Sequence, residues 1–319
     1  MSEPLLQVEG LRVEYDDVTA VDDVSFSVDA GMVYGLAGPN GAGKTSTIRA
    51  IASLVEPTWG RIRVGGIDLA EDPRGALARI GFMPDFPPLY EDLTVAEFLA
   101  LYASAYGLRA DIRAARIDAV IAQVSLDGKR EAMCGTLSRG MRRRLFLAKT
   151  LLHDPDVVLL DEPASGLDPQ ARMELRDILV DLGRRGKAVL VSSHILSEMS
   201  GFCNAVGVME RGRMIVSGRI EDVLAIVRPA RESRVRRAEP DDRLPGHLGA
   251  VATVRVGSAD ARCAGFQVPI EAGGEDAADG VAADVLAGLV AAGFRVADFR
   301  EEARTLEDIY RRVSSGSVS

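Results

Sequence analysis

Apolar and polar residues alternate loosely over residues 5–13, and the alternation resumes from Val24 to Val28 after Asp22 and Asp23. With Tyr15, Asp16 and Asp17 at a turn between them, the pattern predicts edge strands of a sheet. MVYGLAG (32–38) is a short apolar run ending in glycine-rich sequence, and the TSTIRAIASLV that follows Lys44 places Ile48, Ile51 and Leu54 or Val55 at helical spacing. Pro57, Gly60, Gly65 and Gly66 then punctuate short strands. From about 90 to 155 the period lengthens. Leu93, Val95, Phe98, Leu99 and Tyr102 fit one helix, and Ile112, Ile117, Val120, Ile121 and Val124 fit others, so a mainly helical insertion is expected between α/β halves. VVLL (157–160) and AVLVSS (188–193) read as parallel strands buried on both faces. AVGVMERGRMIVSG (205–218) reads as a hairpin.

The character shifts after Ile226. Arg228, Arg231, Arg234, Arg236 and Arg237 are followed by a Pro-, Gly- and Asp-rich stretch, so residues 227–249 are expected to be a solvated linker. VATVRV (251–256), FQVPI (266–270), a helix over 281–292 and FRVADF (294–299), with an acidic, glycine-rich stretch at 271–280, predict a small accessory α/β domain over 250–319. The expected main domain is 1–226, with a helical subdomain at about 85–155.

Composition narrows the classes. Lys plus Arg number 38 against 47 Asp plus Glu, a net charge of −9, which argues against non-specific nucleic-acid binding. No run approaches the ~18–20 apolar residues of a membrane span. MSEPLLQVEG has no basic flank before a long apolar run, so no secretory leader is expected. Three cysteines without a CxxC suit a reducing compartment, and three scattered histidines offer no metal cluster. A cytoplasmic protein is expected.

GPNGAGKT (38–45) satisfies the P-loop pattern and sits where its chemistry requires, after an apolar strand and before a helix. Gly38, Gly41 and Gly43 let backbone N–H groups turn toward phosphates, with Pro39, Asn40, Ala42 and Ser46 completing the loop. Lys44 reaches the terminal phosphates, and Thr45 offers a hydroxyl to Mg2+. VVLLDEP (157–163) delivers Asp161, expected to hold the metal through water, and Glu162, placed to polarise the attacking water.

The order of these motifs resembles the ATP-binding subunits of ATP-binding cassette (ABC) transporters over about residues 5–220. The resemblance also rests on SGLD (165–168), on SSH (192–194), on Tyr15 ahead of the P-loop and on LSRGM (137–141). It implies a P-loop fold with a helical subdomain, ATP and Mg2+ as ligands, Tyr15 stacked on adenine and His194 at the γ-phosphate. Ser138 and Gly140 would complete the ATP site of an opposite subunit, most simply in a homodimer. From the residues alone, Ser138 is a helix N-cap, and Arg142, Arg143 and Arg144 form a mostly solvated helix face with Leu145, Phe146 and Leu151 turned inward.

Two positions depart from the family pattern. The signature is usually LSGGQ, whereas this chain has Arg139 and Met141, with Arg139 expected to face outward. In GFMPD (81–85) Asp85 stands where the family has glutamine, and Asp85 is expected near Mg2+ and the attacking water. Similar variants and the ending TLEDIYRRV (305–313) resemble a branch serving exporters whose permease is a separate chain. The resemblance therefore implies an ATPase, peripheral to the inner face of the membrane, that powers export through a multi-span permease contacted by residues such as those of 81–103. A soluble non-transport ATPase acting on a macromolecular complex, or an ATP-binding regulatory subunit with little hydrolysis, are the alternatives.

Overall fold

The structure, a computed structural model, describes residues 3–85, 87–195, 199, 201–226, 230–251, 254–269 and 274–301. Phe86, Arg228 and the TLEDIYRRV segment lie outside the described residues. The chain divides into two compact units, Met1–Val223 and Leu224–Ser319.

In the first unit, β1 (Leu6–Tyr15) and β2 (Val18–Val28) form a hairpin, and β3 (Val33–Ala37) runs through the glycine loop into α1 (Lys44–Ile51). Next come β4 (Trp59–Val64), β5 (Ile67–Asp68), the short α2 (Pro73–Leu77) and β6 (Ile80–Met83). The helical insertion follows as α3 (Val95–Ala105), α4 (Ala110–Gln123) and α5 (Arg139–Leu151). The chain returns through β7 (Val157–Leu160), α6 (Pro169–Arg184), β8 (Ala188–Ser193), β9 (Ala205–Glu210) and β10 (Arg213–Arg219), and α7 (Ile220–Ile226) carries it across the boundary into the second unit.

Two sheets result, ordered β2-β1-β4-β5 and β10-β9-β3-β8-β7-β6. The expectation of edge strands holds for β2 but not for β1. Leu6 pairs with Val28 on one side and Val64 on the other, because β4 returns to cover the second edge of β1. In the larger sheet β9, β3, β8, β7 and β6 run parallel and antiparallel β10 closes one edge. Every residue of β3, β7 and β8 is buried, which is why these strands read as unbroken apolar runs. Ile48 and Ile51 of α1 share one core with Leu6 and Val64 of the smaller sheet and Leu36, Leu159 and Leu190 of the larger. The P-loop helix is thereby fixed by apolar packing from both sheets.

The second unit contains β11 (Ala230–Arg237), α8 (Leu244–Gly249), β12 (Arg255–Ala259), β13 (Cys263–Pro269), α9 (Gly274–Ala291) and β14 (Val296–Glu301). All pairings are antiparallel in the order β12-β13-β11-β14, the split βαβ arrangement of ferredoxin-like domains. Two expectations are corrected here. Most of the supposed linker is the strand β11 and the helix α8, and the acidic stretch expected before the helix already belongs to α9 from Gly274. In β11 the charge pattern hid a period of two. Ser233, Val235 and Arg237 are buried while Arg234 and Arg236 face out. Arg237 is accommodated by Asp241, at 3.2 Å, and by the carbonyls of Asp241 and Ala261.

Candidate functional site

Parallel β3, β7 and β8 end at the same sheet edge, the position where open α/β sheets take ligands. Past Ala37 the chain curls through residues 38–43 and enters α1 at Lys44. Gly43 has φ of 101°, and a Cβ there would lie 2.5 Å from the Ala20 carbonyl oxygen, so glycine is required on both conformational and steric grounds. No side chain caps the start of α1, so its first N–H groups are left to face the pocket, a cradle for phosphate. Lys44 Nζ donates to the carbonyls of Gly38 (2.7 Å) and Pro39 (3.1 Å) and lies 3.7 Å from Glu162 Oε1. Burial pulls the Lys44 pKa down, and Glu162 and Asp161 oppose that shift.

Asp161 and Glu162 follow β7. Thr45 Oγ1 (3.1 Å) and Ser192 Oγ (2.7 Å) both donate to Asp161 Oδ1, and the Glu162 N–H donates to Ser192 Oγ at 2.9 Å. His194 Nδ1 is 2.9 Å from Glu162 Oε2. Glu162 sits at φ of 47°, in the left-handed region, so the chain turns sharply there and points the carboxylate back at Lys44 and His194. Burial raises the Asp161 pKa against the Ser192 and Thr45 hydrogen bonds, and Glu162 and Asp85 add to the rise. A buried carboxylate bonded to a threonine hydroxyl is a hard oxygen set that fits Mg2+.

Lys44, Thr45, Glu162 and His194 line one open pocket, while Asp161 and Ser192 are buried behind them and do not line it. Its walls are Asn40 to Ser46, then Asp85, Glu162, Ser165 and His194, and at the mouth Tyr15, Val18, Thr19 and Ala20 with Arg211 and Gly212. Tyr15 is 39% exposed, enough to leave a ring face available. Ser138 and Gly140 do not line this pocket. Ser138 caps α5, its hydroxyl accepting from the Met141 N–H at 3.2 Å. Gly140 packs on α6, where an added Cβ would lie 2.8 Å from Ala171 Cβ. Arg139 is exposed, as expected, and Arg139 Nη2 donates to the Ser165 carbonyl at 3.2 Å.

The expected solvated arginine face is not what the chain builds. Arg143 and Arg144 are 6% and 9% exposed, because α5 packs against helices of the insertion and against α6. Buried guanidinium groups need partners. Arg144 donates to the carbonyls of Val124 and Ser125 and lies 3.2 Å from Glu174, whereas Arg143 takes Asp85. The Asp85 carboxylate, expected on the metal, is thus turned to Arg143. Ser192 and Arg211 were not assigned a role from sequence. The SSH motif contained Ser192, but a serine inside a buried strand looks like packing until its hydroxyl is seen between Asp161 and Glu162.

The family model for ABC transporters matches residues 21–165. Nod factor export ATP-binding protein I of Ralstonia nicotianae is 39% identical over 223 residues, which cover 70% of each chain. The protein of the same name from Burkholderia pseudomallei is 40% identical over 218 residues, 68% of this chain and 72% of its own. Among solved structures, an ATP-binding subunit of an ABC transporter superposes with a TM-score of 0.62 at 32% identity, covering 69% of this chain and 92% of that one. Clostridium perfringens cbiO1, part of the ABC transporter complex cbiONQ, gives 0.65 at 26% identity, covering 70% and 92%. This chain belongs to the ATP-binding subunits of ABC transporters. It is accordingly a nucleotide-binding, transport-coupled ATPase of a family that works with membrane permease components. Among the described residues, no helix of this ABC subunit is long and apolar enough to cross a membrane.

Proposed function

We propose that two copies of this chain close on two ATP molecules and drive export through a separate multi-span permease from the cytoplasmic face of the membrane, without a nucleic-acid partner. The observation that carries the hydrolytic part is the linked set Thr45–Asp161–Ser192–Glu162–His194, built from the ends of three neighbouring strands around Lys44. Export is supported by the names of the relatives, and the dimer by Ser138 and Gly140 standing outside the chain's own pocket.

In this reading the loop N–H groups and Lys44 bind the phosphates, and Tyr15 stacks on the base. Thr45 and Asp161 would hold Mg2+, which when bound offsets charge on the terminal phosphates. Glu162 accepts a hydrogen bond from the attacking water, and His194 fixes the carboxylate through Oε2 and faces the γ-phosphate. Asp85 acts from the rim of the site, since Oδ1 is taken by Arg143. The half-exposed Tyr90 supports a permease contact near 81–103.

Glu162→Gln tests the assignment. It keeps the size of the side chain and removes the base, so ATP binding survives, turnover falls by about 100-fold or more, and an ATP-bound dimer accumulates on gel filtration. Normal turnover by this variant with no ATP-dependent dimer would overturn the reading. Capture of the full chain from gently solubilised membranes should bring down a multi-span permease in stoichiometric amount. Recovery only in the soluble fraction with ribosomal or DNA-repair proteins would replace the transporter reading.

A further inference from the structure

Asp85 lies two residues beyond β6, and the Met83 carbonyl at the end of that strand accepts the Asp161 N–H at 3.0 Å. Three carboxylates, Asp85, Asp161 and Glu162, therefore stand on neighbouring strand ends around a pocket shaped for polyphosphate. Like charges so placed repel one another and the phosphates alike. Asp161 and Glu162 have Thr45, Ser192, His194 and Lys44 as partners around the ends of the same central strands. Asp85 draws its partner from elsewhere. Arg143 Nη2 donates to Asp85 Oδ1 at 2.8 Å, and Nη1 donates to the Asp85 backbone carbonyl. The Arg143 side chain is 7% exposed and that of Asp85 27%, so water screens the pair weakly. The two-point grip fixes both the charge and the direction of the loop, a geometry that a point-like ammonium does not reproduce.

We propose that Arg143 is a positioning residue of the ATP site: it cancels the charge of Asp85 beside the phosphates and ties the loop carrying Asp85 to α5. The helix that begins at Ser138 is thus anchored, through one side chain, to the rim of the chain's own nucleotide pocket. This rests on the ATP-site reading above. A pair that served stability alone would lose nucleotide binding in the same direction whichever partner were removed. A charge-balancing pair shifts it in opposite directions.

The experiment measures ATP binding to the full chain by calorimetry, with Mg2+ and again in EDTA, for Arg143→Ala, Asp85→Asn and the double variant. Arg143→Ala exposes an uncompensated carboxylate and should weaken ATP binding by about tenfold. Asp85→Asn leaves an uncompensated guanidinium and should tighten it by a few-fold. The double variant should return to within about threefold of wild type, while its kcat stays low because the tether is gone. Arg143→Lys should keep the affinity and lower kcat. Should Arg143→Ala fail to fold, Asp85→Asn and Arg143→Lys still decide the matter. Weaker binding in Asp85→Asn, or unchanged kcat in Arg143→Lys, overturns the proposal. Lys44→Ala serves as the control for the underlying reading: undiminished ATP binding in that variant would sink the ATP site itself, whereas a failure confined to the Arg143 series would not.

Discussion

At the scale of single residues, the proposed ATP site separates groups whose proposed role follows from type and spacing from groups whose constraint follows from contact. Tyr15 is of the first kind. An aromatic ahead of a P-loop needs only a free ring face, and its partial exposure at the pocket mouth provides one. Tyr15→Ala should weaken ATP binding by about 1–2 kcal/mol, the usual worth of base–aromatic stacking, while Tyr15→Phe should be close to neutral in nucleotide titrations. Equal losses in both variants would mean that the hydroxyl, and not the ring, matters. Gly140 is of the second kind. The sequence marked it as part of a signature segment, but its own structural constraint is the approach of α6, with Ala171 Cβ 2.8 Å from an added Cβ. Gly140→Ala should cost about 1–3 kcal/mol by overpacking, seen as a lower Tm even without nucleotide. The clustering of Lys44, Thr45, Asp161 and Glu162 was legible because each sits at a fixed offset in a short local motif. Arg143 was not, because its partner Asp85 is remote in sequence and only the fold brings the two together.

At the scale of elements, α5 combines a packing role with the segment proposed to serve a second copy. Its start is fixed by the Ser138 hydroxyl on the Met141 N–H, and its interior buries Leu145, Phe146, Leu147 and Leu151. Ser138→Ala removes an N-cap worth about 1 kcal/mol, so a modest drop in Tm is expected in the monomer. If the segment also serves a second copy, the same variant should abolish the ATP-bound dimer in the Glu162→Gln background by far more than the cap alone accounts for. A dimer that persists unchanged would confine Ser138 to capping. The burial of Arg143 and Arg144 in this helix was illegible because a run of three arginines signals solvent by composition, and the carbonyls of Val124 and Ser125 that receive Arg144 lie in another part of the insertion. The same bias hid β11. Its arginines outweigh Val235 in any reading of polarity, although Ser233, Val235 and Arg237 keep the two-residue period of a strand. The buried parallel strands β3, β7 and β8 had no such masking charges and were plain in the sequence.

At the scale of the whole molecule, the two units have separate apolar cores. The first unit's core joins both sheets through α1. The second gathers Val235, Leu244, Leu248, Phe266, Val285 and Leu289 between the four-stranded sheet and its helices, and none of its residues belongs to the first. A domain of this size rests on a net stability of only about 5–15 kcal/mol, so its largest fully buried side chain is a sensitive point. Phe266 is 1% exposed, and Phe266→Ala should cost about 3–5 kcal/mol through the cavity it leaves. Because that core holds no residue of the nucleotide pocket, calorimetry on this variant should show the unfolding of the second unit shifted to lower temperature or lost while ATP affinity and basal turnover stay at wild-type values. The reverse pattern, with both transitions falling together and ATP binding lost, would show that the second unit is a structural part of the ATPase and not an independently folding accessory. A selective fall in permease-stimulated turnover, with basal hydrolysis intact, would place the work of the second unit at the level of transport.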